Sequence, residues 1–258
     1  MTYCLGIRTH QGLVMASDSR TNSGIDQVDV CRKMHNFVSP GERLFTILSS
    51  GSLSLTQSVM TRLEQEFQAG EGLAKAATFY DAARCVGRQV REVAALDREF
   101  MERDNISFAV NLLVGGQIRG EEPQLYLIYA QGNPLRCTRS SPFLQIGESK
   151  YGRPILDRGI RYDETTLEQA VKYAIISLDS TMRSNVAVGP PIDLLVYAAD
   201  DLAVKRYRRL TASDPDLVEM RSNWERELRR AIGTLPQIGF MGPPRDQELG
   251  VTNSRATD

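Results

Sequence analysis

Histidine is scarce in this 258-residue chain: there are two, His10 and His35. Four cysteines (Cys4, Cys31, Cys85 and Cys137) lie far apart, with no C-x-x-C pair. Together these scarcities argue against a zinc site, a histidine-rich metal centre and a disulfide scaffold. Net charge is also nearly absent, at −1. No global field therefore draws the chain to nucleic acid or to an anionic membrane. No apolar run approaches the roughly 18 residues needed to cross a bilayer. The N-terminus lacks the basic, apolar and small-residue succession of a secretory signal, so the expected compartment is the cytoplasm. A P-loop and a dinucleotide fingerprint are both missing, since Gly115-Gly116 and Gly120 only flank a turn. Ser49-Ser50-Gly51-Ser52-Leu53 lacks the spacing of a nucleophile elbow.

What remains is an ordinary globular composition, 41% hydrophobic and 24% charged. Strand-forming residues begin almost at once. Thr2 to Arg8 and Leu13 to Ser17 read as two strands around a tight turn, and Arg32 to Val38 and Leu44 to Ser49 as two more. From Ser52, apolar Leu55, Val59, Leu63 and Phe67 recur every four residues, the stripe of an amphipathic helix. A second helix is expected over Ala76 to Glu102. Strands follow at Ser107–Val114, Leu125–Ala130 and Pro142–Ile146. Thr165 and Glu168 form the expected capping box of a third helix. Gly189-Pro190-Pro191 breaks the chain before the strand Ile192–Ala198, and Asp200-Asp201 turns it into Val204–Leu210. A charged helix over Pro215 to Ile232 comes last. The expectation is a single domain over residues 1–232, with 233–258 as an extension or tail. Strands grouped between helix pairs imply two face-to-face sheets with helices outside, rather than a βαβ sheet.

Thr2 is the first chemically distinctive residue. Met1 precedes a small residue, which permits removal of the initiator methionine. A threonine freed at a chain end carries a hydroxyl nucleophile beside an α-amine of pKa about 7.7–8.0. A modest depression makes that amine a proton acceptor at neutral pH. The chemistry needs a cation to depress the amine, a carboxylate to hold the cation, and an oxyanion donor.

Thr2 at a strand start is followed by Ala16-Ser17-Asp18-Ser19-Arg20-Thr21-Asn22-Ser23-Gly24, by Arg32-Lys33-Met34, and by Ser50-Gly51-Ser52 opening a helix. In this order and spacing the chain resembles a proteasome β-subunit. It resembles most closely the bacterial ancestral-β-subunit (Anbu) branch of the N-terminal-nucleophile hydrolases. The resemblance spans roughly Thr2 to Leu210 and implies a four-layer αββα sandwich of the α+β class. It implies that Thr2 is the nucleophile, that Lys33 lowers the pKa of its amine, and that Asp18 orients Lys33. The backbone N–H of Gly51 would face the oxyanion, a contribution of about 2.7–4 kcal/mol for such a donor. Arg20 corresponds to a structural arginine beside the site. The backbones of Asn22 and Gly51 would pair with an extended substrate. The family's serine near the nucleophile is displaced: Glu148 stands in its place, with Ser149 next to it. A second supporting serine falls near Ser184-Asn185.

The implied activity is that of a threonine-type endopeptidase or amidohydrolase acting on polypeptides or peptides, with no metal or organic cofactor. Identical subunits would assemble as a ring or an open helix. The sequence carries nothing that points to an unfoldase partner. Two alternatives stand beside this reading, a hydrolase of small amides and a catalytically silent assembly scaffold.

Overall fold

A computed structural model describes residues 2–22 and 28–238, with Asn22 and Val28 described in their backbones alone. The expected features at Met1, at Ser23-Gly24 and in the tail beyond Ile238 lie outside the described residues. Two units divide the chain, Met1–Arg221 and Ser222–Asp258.

The first unit opens with β1 (Tyr3–Thr9), β2 (Gly12–Ser17), β3 (Arg20–Asn22), β4 (Val28–Val30), β5 (Met34–Ser39) and β6 (Arg43–Gly51). Helices α1 (Leu53–Gln68) and α2 (Phe79–Arg103) follow, then β7 (Val110–Ile118), β8 (Gln124–Ile128), β9 (Pro134–Arg136) and β10 (Phe143–Gly147). Helices α3 (Arg153–Gly159) and α4 (Leu167–Ser184) precede β11 (Ile192–Ala198) and β12 (Arg206–Leu210). Helix α5 (Pro215–Gly233) comes last, with Leu217 buried.

Two antiparallel sheets form, in the orders β10-β1-β2-β11-β12 and β5-β6-β7-β8-β9, with β3-β4 as a small ribbon. Three apolar layers explain why they stack. Cys4, Leu13, Met15, Leu48, Leu113 and Leu195 fill the space between the sheets. Tyr3, Leu5 and Ile7 point to the other face of β1, where they meet Leu156, Ala174 and Leu178 of α3 and α4. Phe45, Ile47 and Val114 cover the outer face of the second sheet under Val59, Leu63, Val86 and Val90 of α1 and α2. The result is the αββα sandwich expected from the sequence. Each fully buried Leu or Ile contributes about 1.5–3 kcal/mol. Because β1 is buried on both faces, it reads as a near-continuous apolar run rather than an alternation.

Several boundaries differ from the sequence expectation. The capping box of α4 is Thr166 with Gln169, not Thr165 with Glu168. The hydroxyl of Thr165 is already engaged, accepting the backbone N–H of Arg161 at 2.8 Å. Helix α2 starts at Phe79 because Thr78 and Asp81 form their own capping box. Gly115 and Gly116 lie inside β7 rather than beside a turn. A side chain on Gly115 would come within 2.8 Å of the Met15 sulfur, so the glycine permits the sheets to approach. The short helix α3, with Pro154 in its first turn, is missing from the sequence reading although that proline is a start signal.

Candidate functional site

Thr2 immediately precedes β1, and β1 lies between β10 and β2. The carbonyl of Thr2 accepts the Glu148 N–H at 2.7 Å, while the carbonyl of Tyr3 accepts the Asp18 N–H at 3.1 Å. Both neighbouring strands thus fix the backbone at the start of the chain. Gly147, opposite Tyr3 in the register, has φ +83°. A Cβ there would lie 1.9 Å from the Thr2 carbonyl oxygen, which is why the position is glycine.

Asp18 follows the last residue of β2 and is fully buried. Its Oδ1 accepts the Tyr3 N–H at 3.0 Å and the Lys33 Nζ at 2.7 Å. Its Oδ2 accepts the Gly189 N–H at 3.1 Å. Burial pushes the Asp18 carboxyl above the usual carboxylate range, against the opposing pull of Lys33 and of the two backbone donors. Lys33 is itself 6% exposed, and it also donates to the Arg20 carbonyl at 2.6 Å. Of the sequence-predicted Thr2, Asp18 and Lys33, the last two therefore pair directly, and Asp18 reaches the backbone of the residue after Thr2.

Arg20 donates to the Val186 carbonyl at 2.5 Å, and its guanidinium lies over Gly189, where a Cβ would fall within 2.4 Å of it. It braces the loop that carries the Gly189 N–H onto Asp18. The backbone of Asn22 pairs with Val28 in the β3-β4 ribbon. Gly51 ends β6 with φ +123°, one residue before Ser52, the N-cap of α1. A Cβ on Gly51 would come within 2.0 Å of the Ala109 carbonyl.

Thr2, Thr21, Gly51, Leu53, Glu148 and Ser149 line one cleft of about 590 Å³. Ser184 is the last residue of α4 and is exposed. The next residue reaches inward instead: Asn185 Nδ2 donates to Glu148 Oε2 at 3.1 Å. Sequence reasoning missed this amide–carboxylate link and the Gly189 N–H on Asp18. The Gly189-Pro190-Pro191 break was the only local signal, and it did not name a partner.

Chemically, a free amine at Thr2 would have a hydroxyl on the same residue and a buried cation held by a carboxylate nearby. Among the described residues no group of three or more His, Cys, Asp or Glu is placed to hold a metal ion. No helix among them is long and apolar enough to cross a membrane.

Comparison with known proteins places this geometry in context. Residues 2–197 match the family model described as proteasome subunit. The Anbu (ancestral beta-subunit) structure from Yersinia bercovieri is 42% identical with a TM-score of 0.85, over 92% of this chain and 98% of that one. A structure described as a helical assembly of the Anbu complex from Pseudomonas aeruginosa is 43% identical, with a TM-score of 0.87, over 93% of this chain and 100% of that one. The proteasome subunit beta of Haloferax volcanii is 24% identical over 210 residues, 80% of this chain and 77% of the relative.

Proposed function

Because the chain belongs to the proteasome subunit family of N-terminal-nucleophile hydrolases, we propose that it is a threonine-type peptidase or amidohydrolase working from Thr2 once Met1 is removed. The observation that carries this reading is the buried Lys33–Asp18 pair, whose shared carboxylate oxygen also receives the N–H of the residue next to Thr2.

In this reading the Thr2 Oγ attacks the substrate's carbonyl carbon, and the hydroxyl proton passes to the α-amine. Lys33 disfavours a second positive charge beside it and so keeps the amine available as a base near neutral pH. The Gly51 N–H, at the head of α1, stabilises the tetrahedral oxyanion. The protonated amine then gives its proton to the departing amine, and the C–N bond breaks to leave an ester on Thr2. Water then attacks the ester carbonyl and gives a proton to the same amine; the ester C–O bond breaks, the Thr2 oxygen takes that proton back, and the acid product leaves. No step requires a cofactor. The extended backbones of Asn22 and Gly51 offer strand-like pairing to a peptide.

We also assign assembly to identical copies, as a ring or an open helix. This rests on the helical assembly of the Pseudomonas aeruginosa relative and on exposed apolar side chains of α2, Leu96 and Phe100. The cytoplasm is the assigned compartment.

The test is the intact mass of protein purified from cells, before and after an electrophile that bridges the hydroxyl and amine of a terminal threonine. Loss of Met1 and a stoichiometric adduct, abolished by Thr2→Ala, is the expected result. A free Thr2 that never reacts would leave a silent scaffold. Peptides of graded length then distinguish a peptidase from a hydrolase of small amides.

A further inference from the structure

Asp193 is a buried carboxylate that the chemistry above does not use. It lies on β11 opposite Ser17 of β2, with no solvent exposure. A buried charge persists only where partners compensate it. Arg209 Nη1 lies 3.0 Å from both of its oxygens, and the Tyr207 hydroxyl donates to Oδ1 at 2.5 Å. These contacts satisfy the charge from β12. The remaining contact runs the other way, toward the site: the Ser19 hydroxyl donates to Asp193 Oδ2 at 3.3 Å.

Ser19 is the hub of the segment around Lys33. Its N–H donates to the Gly189 carbonyl at 3.2 Å and its carbonyl accepts the Cys31 N–H at 2.8 Å. Cys31 is two residues before Lys33, while Asp18 and Arg20 flank Ser19. The carboxylate of one flanking residue and the carbonyl of the other hold the lysine ammonium, at 2.7 and 2.6 Å. With its hydroxyl on Asp193, every polar group of Ser19 is engaged in fixing that segment.

We propose that Asp193 is a positioning residue for Lys33, acting through Ser19 to fix the Asp18–Ser19–Arg20 segment that holds the lysine in place. The inference rests on the proposed hydrolase, in which the distance from Lys33 to the Thr2 amine matters. Were Asp193 merely the counter-ion of Arg209, the Ser19 link would be dispensable, because Arg209 and Tyr207 satisfy the carboxylate without it.

Ser19→Ala separates these roles, since it deletes the link and leaves the Asp193–Arg209–Tyr207 cluster intact. The experiment uses protein whose intact mass shows Thr2 at the N-terminus, trimmed with methionine aminopeptidase where Met1 persists. Two readouts are taken. One is the pH midpoint for trace acylation of the α-amine by acetic anhydride, which needs no hydrolase activity. The other is the rate of adduct formation with the bridging electrophile. The charged groups around the cleft, Asp18, Arg20, Lys33, Glu148 and Lys150, are the same in every variant.

Ser19→Ala is expected to loosen Lys33, move the acylation midpoint to higher pH, and slow adduct formation by about tenfold, the lower end for one lost hydrogen bond to a charged group. Thr78→Ala, which removes the cap of α2 far from the site, controls for stability and is expected to move neither readout. Asp193→Leu combined with Arg209→Met removes the buried pair together with the acceptor for Ser19, and is expected to shift the midpoint as Ser19→Ala does. An unchanged midpoint in folded Ser19→Ala, or an equal shift in Thr78→Ala, overturns the positioning role whatever the adduct does. Absence of the bridged adduct in the wild type overturns the hydrolase reading instead.

Discussion

Lys33 reaches Asp18 through Oδ1, the same carboxylate oxygen that accepts the backbone N–H of Tyr3. One atom thus ties the lysine to the first strand, a single residue from the candidate nucleophile. Both side chains are withdrawn from water, so each depends on the other for compensation.

Lys33→Met is therefore expected to damage stability as well as reactivity. It leaves Asp18 buried without its cation, a loss of about 3–5 kcal/mol for such a pair. The double variant Lys33→Met with Asp18→Asn should recover most of that stability while remaining unreactive at Thr2. Urea unfolding of the two variants, read beside adduct formation, checks both halves. A double variant no more stable than the single one contradicts the pairing argument.

The pH response has a separate contributor in His35 on β5. Burial holds its imidazole below the ordinary histidine range, with Glu64 pulling in the opposite direction. On acidification the unfolded chain takes up its proton first, near pH 6.5, and the folded state loses stability as pH falls through that value. His35→Gln should shrink the difference in urea midpoint between pH about 7.5 and about 5.5. An undiminished difference would mean that other groups carry the acid response.

Gly147→Ala is expected to disturb the site without touching any reactive group. The new methyl would meet the Thr2 carbonyl, and the backbone there lies at positive φ. The cost should exceed about 1 kcal/mol, with adduct formation lost because Thr2 is displaced. Gly120→Ala is the comparison: its φ is +87° but the space around it is open. That variant should lose about 1 kcal/mol or less and keep Thr2 reactive. Calorimetry and intact mass on both proteins decide the matter.

Alkylation by iodoacetamide at pH about 8 should rank the cysteines. Partly exposed Cys31 is expected to react first. Burial, assisted by Glu66, pushes the Cys85 thiol up to about 11. Its thiolate fraction at pH about 8 is then on the order of one in a thousand. Cys4 and Cys137 are buried with thiols also raised by desolvation, and they should remain protected until the protein unfolds. Mass-mapped labelling over time reads the order directly. Early modification of Cys4 would contradict the packed space between the sheets.

Much of the layered fold is legible in the sequence because periodicity survives in it. Leu55, Val59 and Leu63 mark one helix face, and the short strand runs alternate with turn residues. The shifted cap of α4 shows the limit: Thr165 and Thr166 are equally good caps locally, and the Thr165 hydroxyl is taken by the Arg161 N–H while Thr166 caps the helix. At the site, Thr2, Asp18, Lys33 and Gly51 are named through the family resemblance rather than through any local pattern, and the structure adds the bond from Lys33 to Asp18. Glu148 and Asn185 meet 37 positions apart, and Asp18 meets the Gly189 N–H 171 positions away. Such pairings come from the sheet order and the loop after α4, and no local pattern encodes them. Asp193 likewise looks like one more polar residue in a strand until the register sets it opposite Ser17, within reach of the Ser19 hydroxyl.

The first strand is flanked on both sides, by β10 and by β2, so the start of the chain issues from the middle of a sheet rather than its edge. A handle for purification is usually attached wherever cloning is easiest. Here anything joined ahead of Thr2 caps its amine beside the cleft that Thr2 lines, which in the proposed reading removes the base. In that reading an N-terminal fusion holds the protein in a blocked state until a protease releases Thr2.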